Sequence, residues 1–109
     1  MIFLTSELYI TMSHVQITCT KKSVPNGGHE HITHAGNPSG NWEWTVPQIV
    51  QSIDNKTNTF YVSDPRTGKQ ANVGVVRPAG RPAHIRTYAD GIWTDNLLSL
   101  TTCPLRRAA

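Results

Sequence analysis

Residues 45–54 read Thr-Val-Pro-Gln-Ile-Val-Gln-Ser-Ile-Asp. Thr45 and Gln48 have the spacing of a capping box, and Pro47 sits in the first turn, where an amide hydrogen has no helical partner to lose. Val46, Ile49, Val50 and Ile53 recur at i, i+3, i+4 and i+7, with Gln48, Gln51, Ser52 and Asp54 on the opposite side. The pattern predicts a helix of about two or three turns, closed by Asn55 as a left-handed cap. A helix with one apolar stripe must bury that stripe, so a sheet is expected beneath it.

The flanking sequence supplies that sheet. From His14 to Thr20 residues alternate, with Val15, Ile17 and Cys19 on one side and His14, Gln16 and Thr18 on the other, which predicts a half-buried strand. Pro25-Asn26-Gly27-Gly28 is turn chemistry, a short strand follows around His31 to Ala35, and Gly36 to Gly40 reads as a loop. Beyond the helix, Thr59 to Ser63 and Gln70 to Arg77 flank Asp64-Pro65-Arg66-Thr67-Gly68, a hairpin signature. Pro78 to Pro82 breaks the chain before a last strand through His84 to Tyr88, and Trp93, Leu97, Leu98 and Leu100 make a docked tail. The expectation is an α+β, two-layer fold, ββαβββ, with an antiparallel sheet of about five strands and one amphipathic helix on one face. Its core is Val15, Ile17, Ile32, Val46, Ile49, Val50, Ile53, Phe60, Val62, Val73, Val75, Ile85, Leu97, Leu98 and Leu100.

A chain of 109 residues has room for one domain, expected over residues 12–104. Glu7 and the lack of a basic start argue against a signal peptide; residues 1–11 read as a disordered or upstream extension, because Met12 stands directly before the first strand, and residues 105–109 read as a frayed basic tail. An apolar fraction of 38% with 16% charged residues predicts a folded chain, and no apolar run is long enough for a membrane helix. Two cysteines are too few for a secreted disulfide scaffold, so a cytoplasmic location is the expectation.

Candidate chemistry is sparse. His29, Glu30, His31 and His34 are the densest polar cluster, but Thr33 stands where a His-Glu-x-x-His zinc helix needs its second histidine. On a strand His29 and His31 would share a side, while His34 shares parity with Ile32 and is expected in the core. Cys19, His31, His34 and Cys103 are the candidate zinc ligands if the tail returns to the first strand; the same approach would allow a Cys19–Cys103 disulfide, and sequence leaves free, bonded and metal-bound cysteines open. No cofactor is otherwise expected. Carboxylates at Glu30, Asp90 and Asp95 form no acid/base pair, and no phosphate loop or nucleophile elbow is present, so the chain is not read as an enzyme.

The net charge of +3 is concentrated: Arg66, Lys69, Arg77, Arg81 and Arg86 lie between Asp64 and Asp90 with no acid among them. Such a hairpin can attract phosphates, and Tyr61, Tyr88 and the Trp42, Trp44 pair can offer stacking faces if they share a side. The nucleic-acid-binding set is therefore Arg66, Lys69, Arg77, Arg81, Arg86 and Tyr88. The same cations also serve solubility in any small basic domain.

Separated pieces of the sequence carry a family likeness: Ile17-Thr18-Cys19, Glu30 with Ile32-Thr33-His34 and Gly36, Trp42, Ile49 and Ile53, Phe60-Tyr61-Val62, Thr87 with Asp90-Gly91, and Asn96 to Leu100 with Cys103-Pro104. Together they resemble an uncharacterised family of small, mostly bacterial proteins catalogued as domain of unknown function 3892. The Gly36 to Gly40 loop, the Pro65 to Gly68 hairpin and His84-Ile85-Arg86 depart from its pattern. The resemblance implies a stand-alone small domain with no established activity. It also implies that the two cysteines and the Glu/Thr/His segment belong to one structural or ligand-binding element.

The expected function is a non-catalytic module that binds nucleic acid through the basic hairpin. The alternatives are a protein-interaction factor, such as a modulator of a host or phage assembly using Trp93, Trp42 or Trp44, and a structural Cys/His zinc domain. A monomer or small homo-oligomer away from membranes is expected.

Overall fold

The computed structural model describes residues 13–64 and 66–104. The expected extension over residues 1–11 and the basic tail over 105–109 lie outside the described residues. Helix α1, Val46–Asp54, forms where the sequence places it. The Thr45 amide donates to the Gln48 side-chain oxygen at 2.9 Å, and the Gln48 amide donates to the Thr45 hydroxyl at 3.3 Å. This reciprocal pair satisfies amides that the helix cannot. Its C-terminus differs from expectation, because Asn55 stays right-handed and the left-handed residue is Lys56, with φ of 59°.

The strands are β1 (Ser13–Gln16), β2 (Cys19–Lys22), β3 (Ile32–Asn37), β4 (Trp42–Thr45), β5 (Asn58–Ser63), β6 (Gln70–Val76), β7 (His84–Ala89), β8 (Ile92–Thr94) and β9 (Thr101–Thr102). They do not make the single antiparallel sheet that alternation predicted. A five-stranded sheet runs β1-β5-β6-β7-β8, and a four-stranded sheet runs β4-β3-β2-β9. Both are mixed: β1 lies parallel to β5 and β9 parallel to β2, the remaining pairs being antiparallel. The strand expected through residues 14–20 is two strands in different sheets. The Ile17 amide donates to the Tyr61 carbonyl and the very next amide, Thr18, donates to the Gly36 carbonyl. Consecutive peptide groups serving different sheets leave no mark on side-chain parity.

One core joins both sheets. Ile17, Ile32, Ala35, Val46, Ile49, Phe60, Val62, Val73, Ile85 and Leu97 pack together, and Val15, Val50, Ile53, Leu98 and Leu100 border them. α1 touches β5, β6 and β7 of one sheet and β3 and β4 of the other, so its stripe is shared between them. Val75 is outside this cluster, whereas Trp42 and Trp44 of β4 pack against it, with ring centroids 6.0 and 6.1 Å from that of Phe60. Gly36 permits the β3–β4 approach: a Cβ there would stand 2.5 Å from the Trp42 carbonyl oxygen. The tail is docked as expected. Leu97 is fully buried, β9 pairs with β2, and the Cys103 amide donates to the Thr20 carbonyl.

Candidate functional site

The outer face of the five-stranded sheet carries an aligned polar and aromatic row. In β5 and β7, Phe60, Val62, Ile85 and Thr87 point inward and are buried, which leaves Tyr61 and Tyr88 on the other face. Register aligns Gln16, Tyr61, Asn72, Tyr88 and Trp93, one residue from each strand. Tyr88 and Trp93 are exposed, with ring centroids 5.4 Å apart. At the other end of the row His14 stacks on Tyr61 at 4.3 Å and an interplanar angle of 18°. Trp93 lies over Gly74, where a Cβ would come within 3.2 Å of the indole. The β7–β8 turn that presents Trp93 uses Asp90 and Gly91 at φ of 55° and 78°, two left-handed residues that a tight hairpin requires. A cavity of about 470 Å³ lies elsewhere, on the four-stranded sheet, whereas one of about 510 Å³ borders this row and is lined by Lys69, Gln70, Asn72, Tyr88 and Asp90 among others.

The basic residues do not form one platform. Arg66 and Lys69 belong to the β5–β6 turn, whose fold is set by Asp64: its carboxylate accepts from the Arg66 amide at 2.8 Å, and its own amide donates to the Lys69 carbonyl. The Arg66 side chain is 89% exposed. Arg77 and Arg81 follow β6 at its other end, and seven extended residues span about 23 Å. Arg77 is tied to Asp54 at the end of α1. Arg86 donates to the Thr94 carbonyl at 3.1 Å and to Asp95 Oδ1 at 2.9 Å. Lys69, Arg66 and Tyr88 thus share the hairpin end of the open face, with Arg66 3.7 Å from Asp64, while Arg77 and Arg86 carry closer ion pairs and Arg81 stands with the distant loop. Among the tryptophans only Trp93 is a surface residue; Trp42 and Trp44 face Phe60 instead of forming a stacking platform. Sequence parity exposed the two tyrosines, but Trp93 was hidden as a stacking neighbour until β7 and β8 were paired.

The histidines separate. His29–His31 is a 3-10 turn and not a strand, so His29 and His31 do not share a face. His29 is buried, its ring stacked 6.5 Å from that of His84, with Nε2 left 3.7 Å from Asp95 Oδ1. Burial first, and then the Arg86 charge, holds its pKa below the ordinary histidine value. His31 approaches Ser23 and Glu30, while Glu30 has its carboxyl pKa lowered first by a hydrogen bond from its own backbone. His34 is not in the core. Lys21 pairs with His34 and Lys22 with Ile32, so Thr33 is an extra residue on β3, and this bulge reverses the parity that Ile32 implied.

The zinc expectation is corrected by the same geometry. Cys19 and Cys103 are joined as a disulfide, with Cα atoms 4.8 Å apart, so neither sulfur is a thiolate ligand for His31 or His34. No group of three or more His, Cys, Asp or Glu side chains among the described residues could hold a metal ion. The expected cytoplasmic location rested on two cysteines being too few for a disulfide scaffold, and the bond between them weakens that ground. No helix among the described residues is long and apolar enough to cross a membrane.

The family model described as a protein of unknown function, DUF3892, matches residues 16–101, from the end of β1 to the start of β9. The chain belongs to the DUF3892 family. No curated protein and no solved structure matches it. The matched span of this DUF3892 domain includes the whole Tyr61, Tyr88, Trp93 row and α1, and stops just before Cys103.

Proposed function

We propose that this DUF3892 domain is a non-catalytic module that binds single-stranded nucleic acid on the outer face of its five-stranded sheet. The observation that carries the reading is the register row: Tyr61, Tyr88 and Trp93 face outward on one sheet, and Asn72 between them offers an amide for base edges. Base stacking on such rings is tolerant of sequence and contributes about 1–3 kcal/mol per base. Arg66 and Lys69 at the hairpin end supply the phosphate contacts. Arg77 and Arg86 are less suited to that role, since they sit closer to Asp54 and Asp95 than the 3.7 Å that separates Arg66 from Asp64.

The test is fluorescence anisotropy with labelled single-stranded and duplex DNA and RNA over a range of salt. Two phosphate contacts give a log–log salt slope near about −1.4, against about −3.5 if all five cations took part. Tyr88→Ala and Trp93→Ala should each weaken single-strand binding roughly ten- to a hundredfold, and Arg77→Gln should leave it unchanged. Absence of single-strand binding at low salt, or preference for duplex, refutes the reading.

Ile92 favours a second reading. It is 67% exposed beside Trp93 on β8, the edge strand of the sheet, and an apolar edge can accept a strand from a protein partner. Loss of a captured protein on Ile92→Lys, with nucleic-acid binding absent throughout, would support that role instead.

A further inference from the structure

The four-stranded sheet bears a second cavity, of about 470 Å³, lined by Thr20, Lys21, Lys22, Pro25, Thr33, His34, Leu100, Thr102 and Cys103. In a regular strand Lys21 and Lys22 would point to opposite faces, as would Thr33 and His34. The extra residue at Thr33 breaks that alternation, and both successive pairs line one space. The far wall is the tail, fixed by the Cys103–Cys19 bond and by the β2–β9 pairing. The volume lies within the range of small-molecule sites.

Its lining is chemically one-sided. Two lysines, a histidine and three threonines line it beside an apolar part made by Pro25, Leu100 and the disulfide, and no acidic residue is in the lining. Lys21 is half-buried and oriented by Glu43 at 2.8 Å from outside the lining. Lys22 makes one long contact, 3.5 Å to the Leu98 carbonyl, so its remaining N–H groups have no partner among the described residues. The Thr33 hydroxyl donates to the Lys21 carbonyl at 3.2 Å and meets His34 Nδ1 at 2.9 Å, which fixes the ring and leaves Nε2 without a partner among the described residues. Lysine charge at a lining without an acidic residue is suited to an anion, for which charge-assisted hydrogen bonds are the stronger kind.

We infer that this cavity is a binding site for a small oxyanion, the carboxylate or phosphate group of a small molecule, held by Lys22 and His34 with its apolar remainder against Leu100 and Pro25, while Lys21 stays paired with Glu43. The site is on a different sheet from the aromatic row and stands or falls independently of it.

The experiment is an amide-detected NMR titration of the full oxidised chain with inorganic phosphate in one arm and succinate in the other. Saturable shifts centred on Lys21, Lys22, Thr33, His34 and Thr102 in either arm support the site, and the arm that saturates first identifies the oxyanion. Lys22→Gln, at a partly exposed position, should weaken that binding about tenfold, while Arg66→Gln leaves it unchanged. Shifts absent from these amides in both arms, or spread evenly over the surface cations, or indifferent to Lys22→Gln, overturn the inference.

Discussion

Reduction of the Cys19–Cys103 bond should be the most costly mild perturbation of this domain. The bond links positions separated by 84 residues, and closing a loop of that length in the unfolded chain removes about 15 cal/mol/K of entropy, or about 4.5 kcal/mol at 25 °C. A domain of this size has about 5–15 kcal/mol of total stability, so between a third and nearly all of it is at stake. The native state should survive reduction structurally, because the Cys103 amide still has the Thr20 carbonyl and Leu97 still anchors the tail in the core. Urea unfolding followed by tryptophan fluorescence is suited to the measurement, since Trp42 and Trp44 border the core beside Phe60. With a urea slope of about 1.5 kcal/mol/M, the midpoint should fall by about 3 M on adding a phosphine reductant. Cys19→Ala with Cys103→Ala, without reductant, should fall similarly. A loss below about 1 kcal/mol in both would refute the reasoning, and would mean that the unfolded chain is already restrained or that the bond strains the folded state.

Other consequences are as specific. His29 has a lowered pKa in the fold, so below its ordinary value of 6.5 the unfolded chain binds the proton that the folded chain resists, and stability should decline as pH falls through that window. Arg86 and His84 oppose its protonation and Asp95 and Glu30 favour it; a His29→Asn variant should show a shallower decline in urea midpoint between about pH 7.5 and 5.5, and an identical slope would disprove this role. Thr45→Ala removes the capping hydroxyl from the Gln48 amide and should cost about 1 kcal/mol in the same unfolding assay. Thr87→Val should cost about 1–3 kcal/mol, because the fully buried Thr87 hydroxyl bonds Thr94 and accepts from the Asn96 amide; a neutral result would show that those groups find other partners. Gly36→Ala should be more damaging than either in thermal unfolding, since its methyl would meet the β4 backbone at 2.5 and 2.9 Å. An unshifted melting temperature would show that β3 and β4 can separate freely.

Much of the local structure was legible because its causes are local. The capping box and stripe of α1 need only residues 45–54, and the alternation that buries Phe60 and Val62 while turning Tyr61 to the other face needs only β5. Turn chemistry likewise placed the β5–β6 hairpin, and apolar density correctly docked the segment around Leu97. Tyr61 and Tyr88 could be selected as stacking surfaces from such patterns, and the cysteines could be paired as one of several alternatives.

What sequence did not contain was the choice of partner for each strand. Parity says which side of a strand is apolar, but backbone groups are the same at every residue, so the switch of sheets between Ile17 and Thr18 depends on Tyr61 and Gly36 arriving from elsewhere in the chain. The same dependence on distant segments packed Trp42 and Trp44 against the core, turned His34 outward through the Thr33 bulge, and separated Arg66 from Arg81 by the length of β6. Sequence alone determined the helix, the faces of regular strands such as β5 and the two cysteines; only the tertiary structure decided that there are two sheets, that β3 carries a bulge, that the cysteines meet, and which charges are paired. Local propensity acts within a few residues of chain, whereas pairing, ion pairs and disulfide geometry are set by distances in space that no local pattern encodes.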